Sequence, residues 1–327
     1  MAEVTLEPDE VGARLEEYRR ELTGYTYRML GSLFEADDAV QEALVRAWRS
    51  MDKFQGRSSL RSWLYRITTN VCLDMLNSRS RRALPWDLSE TASAPVKESL
   101  GTPLPEQTWV EPVPDARTTP TGDDPAEQAV QRDSIRLAFV AALQQLPPRQ
   151  RAVLILRDVL RWRAQEVAEL LESSVASVNS ALQRARATLA ARPPQRGDAP
   201  NPLDEEHTAL LSKYVDAFER YDIDVLVSLL HEDATQCMPP YALWLDGPDD
   251  IAAWHLGPGI VCAGSRLLPV MANGSPGFAH YHAAPSGGHE PWAIQMLEVS
   301  DGRISSITGF LGTRLFPAFG LPARLDP

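Results

Sequence analysis

The chain has 327 residues, 44 acidic against 32 basic side chains for a formal net charge of −12, and 44% hydrophobic content, enough for two or three cores of ordinary globular composition. No apolar run approaches the eighteen or more residues of a membrane span, and the acidic start MAEVTLEPDE lacks the apolar stretch of a secretory signal. Three widely spaced cysteines, Cys72, Cys237 and Cys262, with no CxxC or HExxH spacing, argue against a disulfide framework and fit a cytoplasmic protein without a cofactor.

The first segment, 1–82, reads as helices. Apolar residues recur at three- and four-residue steps over 11–30 and 32–50, as in Ala39, Val40, Ala43, Leu44 and Ala47, and again from Leu60 to Met75. Gly56 to Ser59 is the loop between, with Ser58 or Ser59 as N-cap of the next helix. Residues 83–125 carry prolines at 85, 95, 103, 105, 112, 114, 120 and 125 and are expected to be an extended linker. Within it Trp109 either docks on a neighbour or stays solvated. Helices resume over 126–192, broken by the LPPRQ turn at 146–150, and 193–202 is a second Pro-rich linker.

Beyond it, 203–327 changes pattern. Helices are expected at 203–221 and 223–230, then strands at 265–273, 277–284, 292–299 and 303–311, with Asp301-Gly302 as a two-residue hairpin turn. Two or three helices on a curved antiparallel sheet, an α+β domain, is the natural reading.

Charge is spread unevenly along these segments. Residues 1–82 balance at 13 basic against 13 acidic; 83–125 has 2 against 8; 126–192 has 10 against 6; and 193–327 has 7 against 17. The acidity therefore sits in the linker and the C-terminal part, while 126–192 is basic, as phosphate contact requires.

In that basic segment RAQEVAELLESSVASVNSALQRARATL, 163–189, has the pattern of helix, tight turn and helix. Val167 and Leu171 share one face of the first helix; Val175, Val178, Leu182, Ala185 and Leu189 share one face of the second. The opposite face carries Ser177, Asn179, Ser180, Gln183, Arg184 and Arg186, with Ser174 placed to cap the helix. These are short hydrogen-bonding groups with a basic end, suited to base edges and phosphates. A plain helical hairpin is the alternative reading of this stretch taken alone.

The stretch EADDAVQEALVRAWRSMDKFQGRSSLRSWLYRITTNVCLDMLNSRSRR, 35–82, resembles region two of the extracytoplasmic-function (ECF) bacterial sigma factors, and LPPRQRAVLILRDVLRWRAQEVAELLESSVASVNSALQRARATL resembles their region four. The resemblance implies two all-α modules and a function: binding core RNA polymerase, through the β′ clamp coiled coil and the β flap, and starting transcription at promoter DNA. It implies that Asp37, Asp38, Gln41, Glu42, Arg46 and Trp48 grip the polymerase clamp, where carboxylates one turn apart form charge-assisted bonds. It implies that Phe54, Gln55, Gly56, Arg57 and Ser58 form a pocket for an extruded base of the minus-ten element, with Arg61, Arg66, Asn70 and Asp74 along the next helix. Arg79, Arg81 and Arg82 are expected on the DNA backbone, and Trp63 in the core. The minus-thirty-five contact falls to Ser174, Ser177, Asn179, Ser180, Gln183, Arg184 and Arg186, although Asn179 and Ala181 stand where many members carry basic residues.

The C-terminal segment resembles a SnoaL-like domain of the cone-shaped nuclear-transport-factor-like superfamily, through LLSKYVDAFERYDIDVLVSLLHEDAT and VSDGRISSITGFLGTRLFPAFGLP. This combination points to ECF sigma factors of the SigG-like or SigJ-like kind. Met238, Tyr241, Trp244, Trp254 and His255 are the candidate ligand pocket for an unidentified small molecule. His280, His282 and His289 could share a sheet face and bind a metal, but a polar outer face of a hairpin is the expected reading, and no metal is assigned. No acid–base pair stands out, so the domain is expected to regulate the sigma modules in cis, not to catalyse. The rival function is a helix–turn–helix regulator with a ligand-sensing domain that never joins polymerase, which leaves 37–82 unexplained.

Overall fold

A computed structural model describes residues 8–54, 56, 58–77, 81–118, 132–191 and 205–326. The chain divides into two compact units: 1–82 with 116–194, and 83–115 with 195–327.

The first unit is helical. Helices α1 (Pro8–Glu16), α2 (Arg19–Leu30), α3 (Leu33–Arg49) and α4 (Leu60–Leu76) form its first half. Ser32 caps α3 by accepting from the Glu35 N–H, and Ser59 caps α4 by accepting from the Ser62 N–H, satisfying donors that have no partner within the helix. The second half comprises helices Leu137–Gln144 and Pro148–Leu154, a π-helical turn Ile155–Val159, and the pair Ala164–Leu170 and Val175–Ala191.

These halves share one hydrophobic core, in which Leu22, Tyr25, Leu64 and Tyr65 are buried together with Leu146, Ile155, Trp162 and Val167. Tyr65 is central: its ring lies 5.0 Å from Tyr25 and 4.9 Å from Trp162. Two buried arginines tie the halves. Arg28 of α2 donates to the Ser134 carbonyl at 3.2 Å, to the Ser134 hydroxyl at 2.8 Å and to the Gly24 carbonyl at 2.7 Å. Arg151 donates back across the same seam to the Met29 carbonyl, and to Gln144 Oε1 (2.6 Å) and the carbonyls of Gln144 (3.0 Å) and Leu146 (3.1 Å). Burial lowers both guanidinium pKa values, Arg28 to about 10 and Arg151 to about 9. Gly24 is required by close approach, since a Cβ there would lie 2.8 Å from the Thr118 carbonyl oxygen.

The second unit packs helices Glu205–Arg220, Ile223–Ser228 and Gly247–Leu256 against a six-stranded sheet of order β2-β1-β6-β5-β4-β3. The strands are β1 (Leu230–Cys237), β2 (Trp244–Asp246), β3 (Arg266–Ala272), β4 (Ser275–Ala283), β5 (His289–Ser300) and β6 (Arg303–Leu311). Asp301 and Gly302 both take positive φ, 53° and 70°, as the turn between β5 and β6 requires. The sheet is not wholly antiparallel as expected, because β1 runs parallel to β6.

Residues 83–115 are not a free linker. They belong to the second unit, where Leu84, Trp109, Val110 and Val113 are buried. Polar pairing fixes the path: Val113 N–H to Asn273 Oδ1 at 2.9 Å, Asn273 N–H to the Val113 carbonyl at 3.1 Å, and Gly274 N–H to Asp115 Oδ1 at 2.8 Å. Ser93 N–H reaches the Trp244 carbonyl and Leu104 N–H the Pro240 carbonyl, both at 2.8 Å. Nor is the segment extended throughout: it is broken by short helical turns at Pro85–Leu88, Lys97–Leu100 and Glu106–Thr108, and its few apolar side chains are enough to bind it down. Residues 119–131 and 192–204 lie outside those described.

Replacing Arg151 with Leu strands the carbonyls of Met29, Gln144 and Leu146. Urea denaturation followed through the helical unit should show a loss of about 2–4 kcal/mol, the cost of several buried acceptors left without donors.

Candidate functional site

The polymerase-contact residues expected from sequence lie along α3. Its other face buries Ala36, Ala39, Val40, Ala43 and Ala47, which leaves Asp38, Gln41, Glu42, Arg46 and Trp48 exposed; Trp48 is 52% exposed, unusual for so large a ring. Glu42 and Arg46 pair at 2.7 Å, one turn apart, and Arg46 also lies 3.7 Å from Asp74. Gln41 accepts from Arg19 at 3.0 Å. Asp37 is set apart from the others, held by Arg117 at 2.5 Å.

The minus-ten candidates are brought to α4 and its preceding loop. Gly56 and Ser58 are exposed, Gly56 with φ 65°, and Phe54 is half-buried against Trp63 at 5.1 Å between ring centres. Gln55 and Arg57 lie outside the described residues. Arg61, Arg66, Asn70 and Asp74 all emerge on the exposed side of α4. The first two are already engaged: Arg61 donates its Nε to Glu21 at 2.7 Å and stands 5.5 Å from the Trp162 ring, and Arg66 pairs with Glu172. Glu172, at φ 50°, sits in the turn of the helix–turn–helix. One expectation fails: Arg82, expected on the DNA backbone, is buried and paired with Glu35 at 2.6 Å.

The helix–turn–helix forms as its apolar spacing requires. Val167, Leu171, Val178, Leu182 and Ala185 are buried, and Ser174, Ser177, Asn179, Ser180, Gln183, Arg184 and Arg186 are exposed. The Ser174 hydroxyl accepts from the Ser177 N–H at 3.1 Å, capping the second helix. Arg184 donates to Ser180 Oγ at 2.6 Å, and Arg186 makes a two-pronged pair with Asp158 at 2.9 and 2.7 Å. All but Arg184 and Arg186 are uncharged, so shape and hydrogen bonding have to supply much of any base selection.

The second unit encloses a cavity of about 710 Å³ between its helices and sheet. Met238, Tyr241, Trp254 and His255 line it, as the sequence suggested; Trp244 does not, because its indole N–H donates to the Ser89 carbonyl at 3.2 Å. Sequence reasoning missed Gln236, Cys262, His280, Trp292 and Gln295, which also line it. His280 is no outer-face residue: it is 2% exposed, with Phe218 edge-on at 5.1 Å. Its Nδ1 lies 3.3 Å from Gln295 Nε2, and Gln295 Oε1 accepts from the Tyr214 hydroxyl at 3.1 Å. His255 Nε2 meets Gln236 Oε1 at 3.1 Å. His289, expected beside His280 and His282, instead contacts the Gly264 carbonyl at 3.1 Å.

Burial depresses these imidazoles, His255 to about 4, His282 to about 4, and His280 to about 3 with help from the neighbouring histidines. They are neutral at pH 7. His255 Nδ1 and His280 Nε2 are buried without a hydrogen-bond partner, an arrangement suited to receiving a ligand's polar groups.

Comparison with known proteins gives three family matches: Sigma-70 region 2 over residues 15–82, Sigma-70 region 4 over 136–189, and a SnoaL-like domain over 211–307. The ECF RNA polymerase sigma factor SigG of Mycobacterium tuberculosis (strain ATCC 25618 / H37Rv) is 45% identical over 316 residues, covering 96% of this chain and 84% of its own. The chain belongs to the ECF RNA polymerase sigma factors. SigJ of the same organism is 29% identical over 313 residues, 90% of this chain and 89% of its own. The crystal structure of Mycobacterium tuberculosis SigJ shares the fold, with a TM-score of 0.61 at 24% identity over 95% of this chain and 99% of that one. As a sigma factor the protein binds core RNA polymerase and recognises promoters, with a SnoaL-like domain at its C-terminal end.

His255 has a pH consequence. Its folded pKa lies below its unfolded value near 6.5, so the unfolded chain binds the extra proton first and stability falls as pH drops from about 6.5 toward 4. Denaturation of the second unit at pH 7.5 and pH 5 should differ by on the order of 1–2 kcal/mol for this residue. His255→Gln should remove this share and leave that of His280 and His282, whose pKa values are lowered in the same direction.

Proposed function

We propose that this sigma factor rests in a closed form and must separate its two DNA-reading modules to work, with the C-terminal unit setting how far they separate. The observation that carries this reading is the shared core of the first unit. Promoter elements named for positions −10 and −35 are about 25 base pairs apart, roughly 85 Å of duplex at 3.4 Å per step. Modules joined through Tyr65–Trp162 and Arg66–Glu172 cannot span that distance. While they are joined, Arg61 and Arg66 serve the seam instead of the minus-ten strand.

On this reading Asp38, Gln41, Glu42, Arg46 and Trp48 stay available to polymerase in the closed form, with Asp37 joining once Arg117 lets go. Initial docking then precedes opening. Ser177, Asn179, Ser180, Gln183, Arg184 and Arg186, on the helix capped by Ser174, read the minus-thirty-five element. Phe54 to Ser58, with Arg61, Arg66, Asn70 and Asp74, capture the minus-ten strand. The protein acts in the cytoplasm beside polymerase.

The connector supplies the regulation. From the end of one module to the start of the next there are 53 residues, 83–135; with 83–115 bound in the second unit only 20 remain, 116–135. Twenty extended residues reach roughly 70 Å. A ligand in the cavity would tune transcription only through differential affinity for the bound and released connector. The cavity is read as a binding site and not a reaction centre: Glu290 is the one carboxylate among its described lining residues, and it is exposed.

Two experiments decide between this and a connector of no consequence. Run-off transcription with core polymerase on promoters of graded spacer length should show a narrow optimum for the full chain and a broader one for a chain ending at Arg192. Identical profiles and identical polymerase affinity would refute control by the C-terminal unit. Separately, Arg66→Cys with Glu172→Cys, joined by a short bis-maleimide, should abolish promoter opening while sparing polymerase binding; full transcription by the joined protein would refute the closed resting form.

A further inference from the structure

The three groups Cys262, His280 and His282 lie where none of the sigma-factor chemistry needs them. Cys262 ends the turn Pro258–Cys262 after the Gly247–Leu256 helix, and the two histidines alternate along β4, where the register against β5 shifts between His280 and Tyr281. One ligand atom from each, the thiol sulfur and a nitrogen of each ring, lies within 4.8 Å of the others. His280 Nε2 and His282 Nε2 are both buried without a hydrogen-bond partner, a costly state for polar atoms unless something fills it.

We propose that Cys262, His280 and His282 form a transition-metal site of the zinc type, with its fourth position open to the cavity that Cys262 and His280 line. The donor set is two imidazoles and a thiolate with no carboxylate among the three, which favours zinc-like ions over magnesium or calcium. Bonds of about 2.0–2.3 Å place tetrahedral ligand atoms roughly 3.3–3.8 Å apart, so the three need draw together by about 1 Å. Both rings are braced for this. His282 stacks on Trp292 with ring centres 3.9 Å apart and planes 13° from parallel. His280 is backed by Gln295, itself held by Tyr214. When the metal takes Nε2, the ring proton moves to Nδ1 and the Gln295 amide turns to accept it, the outer-shell bond that metal-bound histidines ordinarily make. Binding releases one proton, from the Cys262 thiol, and no oxidant or reductant is involved. The open position gives a cavity ligand with an anionic oxygen or sulfur a direct bond to the ion.

The test is titration of the full-length, reduced protein with Co(II), a spectroscopic substitute for zinc. One equivalent should produce visible d–d bands and a near-ultraviolet thiolate-to-metal charge-transfer band, both erased by added Zn(II). Cys262→Ser should lose the charge-transfer band, His282→Ala should weaken binding at least tenfold, and Cys237→Ser, which alters the other cavity thiol, should retain both. No band in the wild-type protein, or one that survives in Cys262→Ser, overturns the proposal. If Cys262→Ser melts below wild type without metal, protection decides: Zn(II) should slow alkylation of Cys262 in the wild-type protein at least tenfold, and an unchanged rate overturns the site.

Discussion

A guanidinium with no exit to water governs the helical unit. Arg151 is stationed at the seam between the two sigma modules, where its donors end on carbonyls and an amide from both sides. Its two terminal nitrogens carry all of these bonds while Nε is buried without a partner, so losing any of them would leave a buried charge still less compensated. The cost of drawing it out therefore falls at the moment the modules part. Arg28 repeats the arrangement from the other direction. Around this pair the aromatic contacts of Tyr65 and the half-exposed pairs of Arg61 and Arg66 are secondary, because exposed pairs each contribute little. On the proposed opening, these buried polar contacts between the modules are what polymerase binding would have to outweigh.

The helical modules were legible in the sequence because their apolar residues keep helical spacing and their caps are serines in the expected places. The recognition helix is the clearest instance: Val178, Leu182 and Ala185 point inward and the polar set outward. What could not be read was what depends on distant partners. Nothing local to Trp162 says that it meets Tyr65, and nothing in SRSRR says that Arg82 is buried against Glu35 while its neighbour Arg81 is exposed.

The C-terminal unit was harder for a related reason. β1, LHEDATQC, hid because Thr235 and Gln236 are buried without being hydrophobic, and alternation is a signal of polarity, not of burial. The same polar burial marks the cavity, so the residues most informative about function were those that erased the strand pattern. The connector misled through its prolines, which rule out long helices but neither exclude the short turns found at Pro85–Leu88, Lys97–Leu100 and Glu106–Thr108 nor say whether Trp109 and Val113 find a surface. Charge follows the same division: the 193–327 segment is acidic, and the basic 126–192 segment contains the helix–turn–helix.

The parallel pairing of β1 with β6 carries one last implication. It places the final strand of the chain in the interior of the sheet, flanked by β1 and β5. An interior strand supplies ladder bonds on both sides, so a chain cut short before residue 303 would leave two raw edges facing each other across a gap. Loss of this strand would therefore remove the pairing partner of both β1 and β5 at once. The sheet would be left in two parts, each presenting an unpaired edge of the kind that invites aggregation.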